Sequence, residues 1–274
     1  MPHTSTFIDA IFATRCLLCH SYGASCCHTC WQSLGFEQRA VLRSSPLLVE
    51  FKNPAGTVPD GKAPADTVPA GKAPNATLQG ISMIDFNPQV AALMHAYKEL
   101  GRSALAAQFA SAMVPSVQAL SRRSAGVQAA DSAGTFATQR PTFLVPVPSQ
   151  QSSIQDRGYS PAGLIVRQLV GLLEPRFGFS PRNYFGGQTL LRRVVESKDQ
   201  AGLTQQDRLQ NLHETMQSSK RAAGKRVILV DDIVTTGSSL LESARALTAA
   251  GAQVIGFLTF AETILRKIAK THTS

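Results

Sequence analysis

The sequence predicts an α/β fold, a parallel sheet flanked by helices, preceded by a small module built on cysteines. Three observations carry that expectation. Short β-branched runs alternate with stretches of helical periodicity toward the C-terminus. One apolar run, Val227–Val230, is followed by paired acids and a hydroxyl-rich turn that opens a helix. All five cysteines fall between positions 16 and 30.

Taken in order, residues 1–50 form the first expected unit. Cys16 and Cys19 make one C-x-x-C pair, and Cys27 and Cys30 a second. Four thiolates on two such knuckles can surround one tetrahedral zinc, which would be structural. Cys26 is the odd cysteine, and His20 or His28 could replace a ligand. The alternatives are a disulfide knot or reactive thiols, and disulfides are disfavoured in a reducing compartment. Trp31 and Leu34 are positioned to pack against the knuckle, and the flank beyond it looks helix-prone. The apolar stretch Phe7–Phe12 is short, contains Asp9 and lacks a basic leader, so it makes a poor signal peptide. No apolar run is long enough to span a bilayer, and a cytoplasmic location is expected.

Residues 51–80 read as a Pro/Gly/Ala-rich linker, expected to be disordered. It carries a ten-residue repeat, T-V-P-D-G-K-A-P-A-D then T-V-P-A-G-K-A-P-N-A. Residues 81–274 form the main domain, with a loop insertion near 121–139. Within it, Val90, Leu93, Met94, Leu105, Phe109 and Met113 recur at helical spacing. Thr142–Val147 is a strand ended by Pro146 and Pro148, Pro161–Leu173 a helix, and Gln205–Met216 a further helix. Val227–Val230 is a buried strand, Ser238–Ala250 a helix capped by Gly251, and Val254–Phe260 a last strand. In such sheets ligands bind at the carboxyl ends of strands, where Pro148 and Asp231 both fall.

The segment V-I-L-V-D-D-I-V-T-T-G-S-S-L, Val227–Leu240, is the most specific. Thr235, Thr236, Gly237, Ser238 and Ser239 place backbone N–H groups, hydroxyls and a helix N-terminus around one point, which suits a phosphate. Gly237 lets the backbone approach an oxygen without a Cβ in the way. Asp231 and Asp232 beside it suit the hydroxyls of a sugar carrying that phosphate. An NTPase reading fails. Gly56–Lys62 is followed by Ala63, so the metal-holding hydroxyl is missing, and no strand precedes it. A dinucleotide fingerprint is absent from the strand ends. The formal charge of +9 is densest and richest in arginine between 144 and 223. That suits a polyanionic ligand. A nucleic-acid surface would also be basic, but only Trp31 and Tyr22 near the knuckle could stack bases, which is thin support.

The turn resembles the phosphoribosyl-pyrophosphate (PRPP) loop of type I phosphoribosyltransferases. More of the chain is similar to the ComF family, known also from GntX-type proteins, which pair a zinc knuckle with a phosphoribosyltransferase domain. The matching pieces are C-L-L-C at Cys16–Cys19, C-H-T-C at Cys27–Cys30 and M-H-A-Y-K at Met94–Lys98. V-P-V-P at Val145–Pro148, R-G-Y at Arg157–Tyr159 and L-L-R-R at Leu190–Arg193 follow. Gln200 with Leu203, Arg208 with Asn211, the PRPP loop and A-G-A at Ala250–Ala252 complete the series.

The resemblance implies a type I phosphoribosyltransferase-like sheet. It also implies transfer of phosphoribose from PRPP to an unknown nitrogen acceptor, with release of pyrophosphate. Asp231 and Asp232 would bind the ribose diol and Thr235–Ser239 the 5′-phosphate. Val147, Pro148 and Ser149 would form the pyrophosphate loop, and Arg157 would support phosphate binding or the following helix. Arg192, Arg193 and Arg208 would lie on or near a loop that covers bound PRPP. Magnesium would accompany the diphosphate. One departure is plain: Ser160 and Pro161 stand where the family carries an Asn-Gln pair. The alternative function is therefore a non-catalytic PRPP- or nucleotide-binding accessory or regulatory protein, linked to DNA uptake (competence) and to protein or DNA partners in that pathway.

Overall fold

In the computed structural model, the structure describes residues 14–45, 76–123, 142–173, 190–194 and 215–263. The helices are α1 (His28–Gln32), α2 (Pro88–Glu99), α3 (Leu105–Arg123), α4 (Gln151–Arg157), α5 (Pro161–Leu173) and α6 (Ser238–Ala249). The strands are β1 (Arg39–Ser45), β2 (Ala76–Asp85), β3 (Thr142–Pro146), β4 (Leu191–Arg193), β5 (Met216–Ser218), β6 (Arg226–Val234) and β7 (Gln253–Glu262).

Five strands make one sheet in the order β1-β2-β7-β6-β3, and β4 pairs with β5 apart from it. β2, β7, β6 and β3 run parallel, and β1 joins β2 antiparallel at the edge. The sheet is thus mixed and mostly parallel, with one antiparallel strand that the sequence reading did not anticipate. Period-two alternation splits the apolar side chains between its faces. Leu144, Ile228, Val230, Leu258 and Phe260 pack with α2, α3 and α5 on one face. Phe143, Val145, Val227, Leu229 and Phe257 pack with α6 and the β4–β5 hairpin on the other.

Several sequence expectations change. Among the described residues the helix-prone flank holds only the short α1, which already begins at His28 within the cysteine segment, and the chain then extends into β1, because R-A-V-L-R-S-S completes a sheet edge. The end of the expected linker, residues 76–80, begins β2, whereas 51–75 lie outside the described residues. The periodic stretch Val90–Met113 is two helices, because the chain turns through residues 100–104 between them. Met216 lies in β5 rather than at a helix end, and 205–214 lie outside the described residues, as do 124–141. β6 continues through both acids to Val234 because β7 goes on pairing with it, while β3 stops opposite Val230. The acids therefore lie past the end of β3, where a cavity opens. Among the described residues no helix is long and apolar enough to cross a membrane.

The cysteine segment is not a detached bead. Trp31 stacks on Phe260 at 5.8 Å and on Phe109 at 6.1 Å, and meets Phe36 at 4.7 Å. Gln108 donates to the Cys26 carbonyl at 2.9 Å. The knuckle thereby shares the apolar core of the α2–α3–α5 face.

Candidate functional site

The site is a cavity of about 600 Å³ at the carboxyl end of β6. Asp231 and Asp232 contribute the acids, Val147, Pro148, Ser149 and Gln150 the loop after β3, Ser239 the first turn of α6, and Lys98, Arg157 and Arg193 the cations. The loop after β3 is held by the Val147 N–H, which donates to the Val230 carbonyl at 2.9 Å, one residue before the acids.

Asp232 is buried and pairs with Lys98, Nζ to Oδ1 at 3.0 Å. Asp231 shows part of its surface to the cavity but is hemmed in by protein. Burial, then the negative charge of Asp232, pushes its carboxyl up to about 8, against the pull of Lys98 and of the Asp232 N–H, which donates to Asp231 Oδ1 at 2.9 Å. Asp231 therefore holds its proton more tightly than an ordinary carboxyl does.

In the turn, Gly237 takes φ 80° as the N-cap of α6. A side chain there would be strained by backbone conformation and would collide with the Arg43 stem, whose Cγ lies 2.7 Å from the position of a Cβ. Arg43 reaches over from β1, donates to the Thr235 carbonyl at 3.1 Å and pairs with Glu262 at 2.7 Å. The strand that follows the cysteine cluster thus braces the turn. Thr236 and Ser238 are buried and share a hydroxyl–hydroxyl bond of 2.8 Å, and Thr235 is exposed. Of Thr235–Ser239, Ser239 lines the cavity; Thr235, Thr236, Gly237 and Ser238 are not part of its wall.

Among the other expected residues, Val147, Pro148, Ser149 and Arg157 meet the acids in one cavity. Arg208 lies outside the described residues. Arg157 ends α4, where Gly158 at φ 77° lets the chain leave, and it pairs with Glu99 at 2.9 Å. Arg193 donates to the Pro148 carbonyl at 3.2 Å, tying β4 to the loop after β3. Arg192 bonds Gln217 across the hairpin at 2.7 Å and faces a second cavity of about 460 Å³, which shares Val147–Ser149 and Arg193 with the first. Ser160 borders that second cavity and accepts from the Gly163 N–H at 3.3 Å, and Pro161 starts α5. The two residues that replace an amide pair thus shape a helix start. In the sequence Lys98 stands out only as the last residue of M-H-A-Y-K. Its place on Asp232 depends on how α2 docks, which no local pattern reports.

At the other end of β1, the sulfurs of Cys16, Cys19, Cys27 and Cys30 lie within 4.8 Å of one another. A tetrahedral zinc with bonds near 2.3 Å separates its sulfurs by roughly 3.8 Å, and Cys19 and Cys27 stand 3.6 Å apart. The donor chemistry agrees. The Ser21 hydroxyl and N–H hold the Cys19 thiol down at about 6, and Cys16, despite burial, is lowered by N–H groups led by that of Cys27. Cys30 is pushed up by the neighbouring Cys19 and Cys27 side chains, since crowded thiols without a cation must keep protons. Cys26 points into the core, and burial raises it to about 12. His20 and His28 are not in the cluster. The four cysteines fit a zinc knuckle. Chelation of the metal is expected to shift the emission of Trp31, the chain's single tryptophan, and to lower the melting temperature of the whole domain. Unchanged emission and melting after complete zinc removal would separate the knuckle from the core.

Residues 153–273 match the family of the phosphoribosyl transferase domain. The chain is 32% identical over 129 residues to competence protein F of Haemophilus influenzae, covering 46% of this chain and 52% of that protein. It is 28% identical over 175 residues to the DNA utilization protein YhgH of Salmonella typhimurium, covering 64% of this chain and 68% of that protein. YhgH of Escherichia coli O6:H1 is 25% identical over the same number of residues. The chain spans about half the length of the first of these relatives. Over residues 153–273 the chain is thus similar to the phosphoribosyl transferase domain, and over part of its length to competence protein F and YhgH.

Proposed function

We propose that this protein binds PRPP in the cavity beside Asp231 and Asp232 and transfers its phosphoribosyl group to a nitrogen acceptor. The observation that carries the reading is the meeting, in one 600 Å³ cavity, of the two acids, the start of α6, the loop after β3 and the cations Lys98, Arg157 and Arg193.

In the transfer, the bond from ribose C1 to the pyrophosphate oxygen breaks, a C1–N bond forms, and the nitrogen's proton passes to solvent. Positive charge builds on the sugar and negative charge on the leaving diphosphate. Asp231 and Asp232 would accept from the ribose hydroxyls and face the growing positive charge. The N–H groups at the start of α6 would hold the 5′-phosphate and so fix where C1 lies. Arg157 and Arg193 would lie beside the departing diphosphate. Magnesium bound with the diphosphate would supply further positive charge beside the leaving group.

The relatives' names speak of competence and DNA utilization. A cytoplasmic role in DNA uptake or use, with protein or DNA partners, is part of the same proposal. Titration calorimetry with PRPP and magnesium tests the binding, and pyrophosphate release across a panel of nucleobases and ammonia tests the transfer. Binding without release across the panel would leave the accessory reading, which the helix-capping role of Ser160 and Pro161 favours.

A pH dependence follows from Asp231. Its raised value means that the ligand-free protein holds a proton that diol binding must displace. PRPP affinity is expected to rise between pH 7 and 8 and level off above about 9, beyond the phosphate's own ionisation near 6. Calorimetry in buffers of different ionisation enthalpy should register proton release near pH 7, and Asp231→Asn should abolish it. An affinity flat from pH 7 to 9 would contradict the assignment.

A further inference from the structure

Lys98 occupies a position that the proposed chemistry does not yet use. It lies in the last turn of α2, where the helix carbonyls favour a cation. Its side chain is 27% exposed and its ammonium lies on Asp232 at the cavity wall. The residues around it fix that end of α2 firmly. The buried Tyr97 hydroxyl donates to the Pro161 carbonyl at 2.8 Å, the Tyr159 hydroxyl donates to the Tyr97 carbonyl, and Glu99 accepts from Arg157. The motif M-H-A-Y-K thus delivers one flexible ammonium, on a rigid stem, to the acid pair.

The electrostatics set a conflict. PRPP is a polyanion, and the cavity floor is acidic. Asp232 must be freed to accept from a ribose hydroxyl, and the diphosphate must find cations. An ion pair that keeps part of its surface in water is weak, so a ligand carrying more charge can draw the ammonium away.

We propose that Lys98 is a charge switch: it neutralises Asp232 in the free protein and moves to the diphosphate of PRPP when the ribose takes its place. The inference rests on the PRPP reading given above. It makes Lys98 a binding residue for the pyrophosphate half of the ligand and not for the ribose phosphate half.

That asymmetry supplies the test. PRPP with magnesium, and separately ribose 5-phosphate, which lacks the diphosphate, are titrated into the full chain and into the Lys98→Met and Lys98→Gln variants. Glutamine keeps a donor for Asp232 and so guards against loss of fold. The expected result is a fall in PRPP affinity of about ten- to a hundredfold, with ribose 5-phosphate affinity unchanged or improved. PRPP affinity within twofold of the parent in both variants would overturn the switch. Equal weakening of both ligands would also overturn it, marking Lys98 as a structural partner of Asp232. If the parent chain binds no PRPP, the underlying reading fails, and the switch with it.

Discussion

Replacing both acids, Asp231→Asn with Asp232→Asn, is expected to reduce PRPP affinity by a hundredfold or more while the fold survives. Each carboxylate would accept a charge-assisted bond from a ribose hydroxyl, worth about 1.5–3 kcal/mol against a neutral partner. Two such losses amount to about 3–6 kcal/mol, and each 1.4 kcal/mol is a factor of ten. The stability effect runs the other way for Asp231. Its folded value lies above the ordinary carboxylate range, so its ionisation opposes folding as pH rises from about 4 through about 8. Asp231→Asn removes that penalty and is expected to raise the melting temperature most at pH 9, with the gain shrinking toward pH 4. Asp232→Asn leaves Lys98 without its carboxylate, but the ammonium keeps access to water, so the loss of stability is small. A double variant that binds PRPP as tightly as the parent in calorimetry would remove the acids from the site.

What the sequence disclosed of this site was its local part. Val227–Leu240 carries strand period, acids and turn within one stretch, so neighbouring residues suffice to show it, and the structure assembles β6, the turn and α6 from it. The helix Pro161–Leu173 was legible to the residue, because a continuous apolar face and a starting proline mark it. The clustering of Cys16, Cys19, Cys27 and Cys30 was legible from spacing alone. The edge strands β1 and β2 were not. Their residues alternate only weakly, with Arg39, Arg43 and Gln79 among the apolar positions, and their pairing joins segments on either side of the repeat. Lys98 and Arg43 escaped for the same physical reason: each meets its partner across long sequence separation, Arg43 with Thr235 and Glu262, Lys98 with Asp232. The length of β6 was misjudged because two acids look like the end of a strand. The pairing of Val234 with Glu262 continues it regardless.

Glu242 and Arg245 look from sequence like an ordinary i, i+3 surface pair on a helix, yet both are buried, at 5% and 9% exposure. The reason is the β4–β5 hairpin, which does not join the main sheet and must be held by something else. Glu242 accepts the Met216 N–H at 3.1 Å, Arg245 donates to the Met216 carbonyl at 3.2 Å, and the guanidinium donates two hydrogen bonds to the carboxylate, at 2.6 and 2.7 Å. Ser243 adds a contact to the Met216 sulfur at 3.0 Å. Both backbone groups of one hairpin residue are thus satisfied by α6, the helix whose first turn opens on the proposed phosphate site. Glu242→Ala would take the carboxylate from a buried guanidinium and the acceptor from the Met216 N–H together. Breaking such a pair from one side destabilises by about 3–5 kcal/mol, which for a domain of this size lowers the melting temperature by roughly 10 °C. Glu242→Gln keeps an acceptor for Met216 and should fall between the two. Because β4 also carries Arg193 to the Pro148 carbonyl, the loosened hairpin is expected to weaken PRPP binding at temperatures where Glu242→Ala is still folded, with faster hydrogen exchange at the Met216 amide. Should Glu242→Ala melt within a degree or two of the parent and leave that amide protected, the bracket would not be what holds the hairpin, and its apolar contacts through Leu190, Leu191 and Met216 would have to suffice.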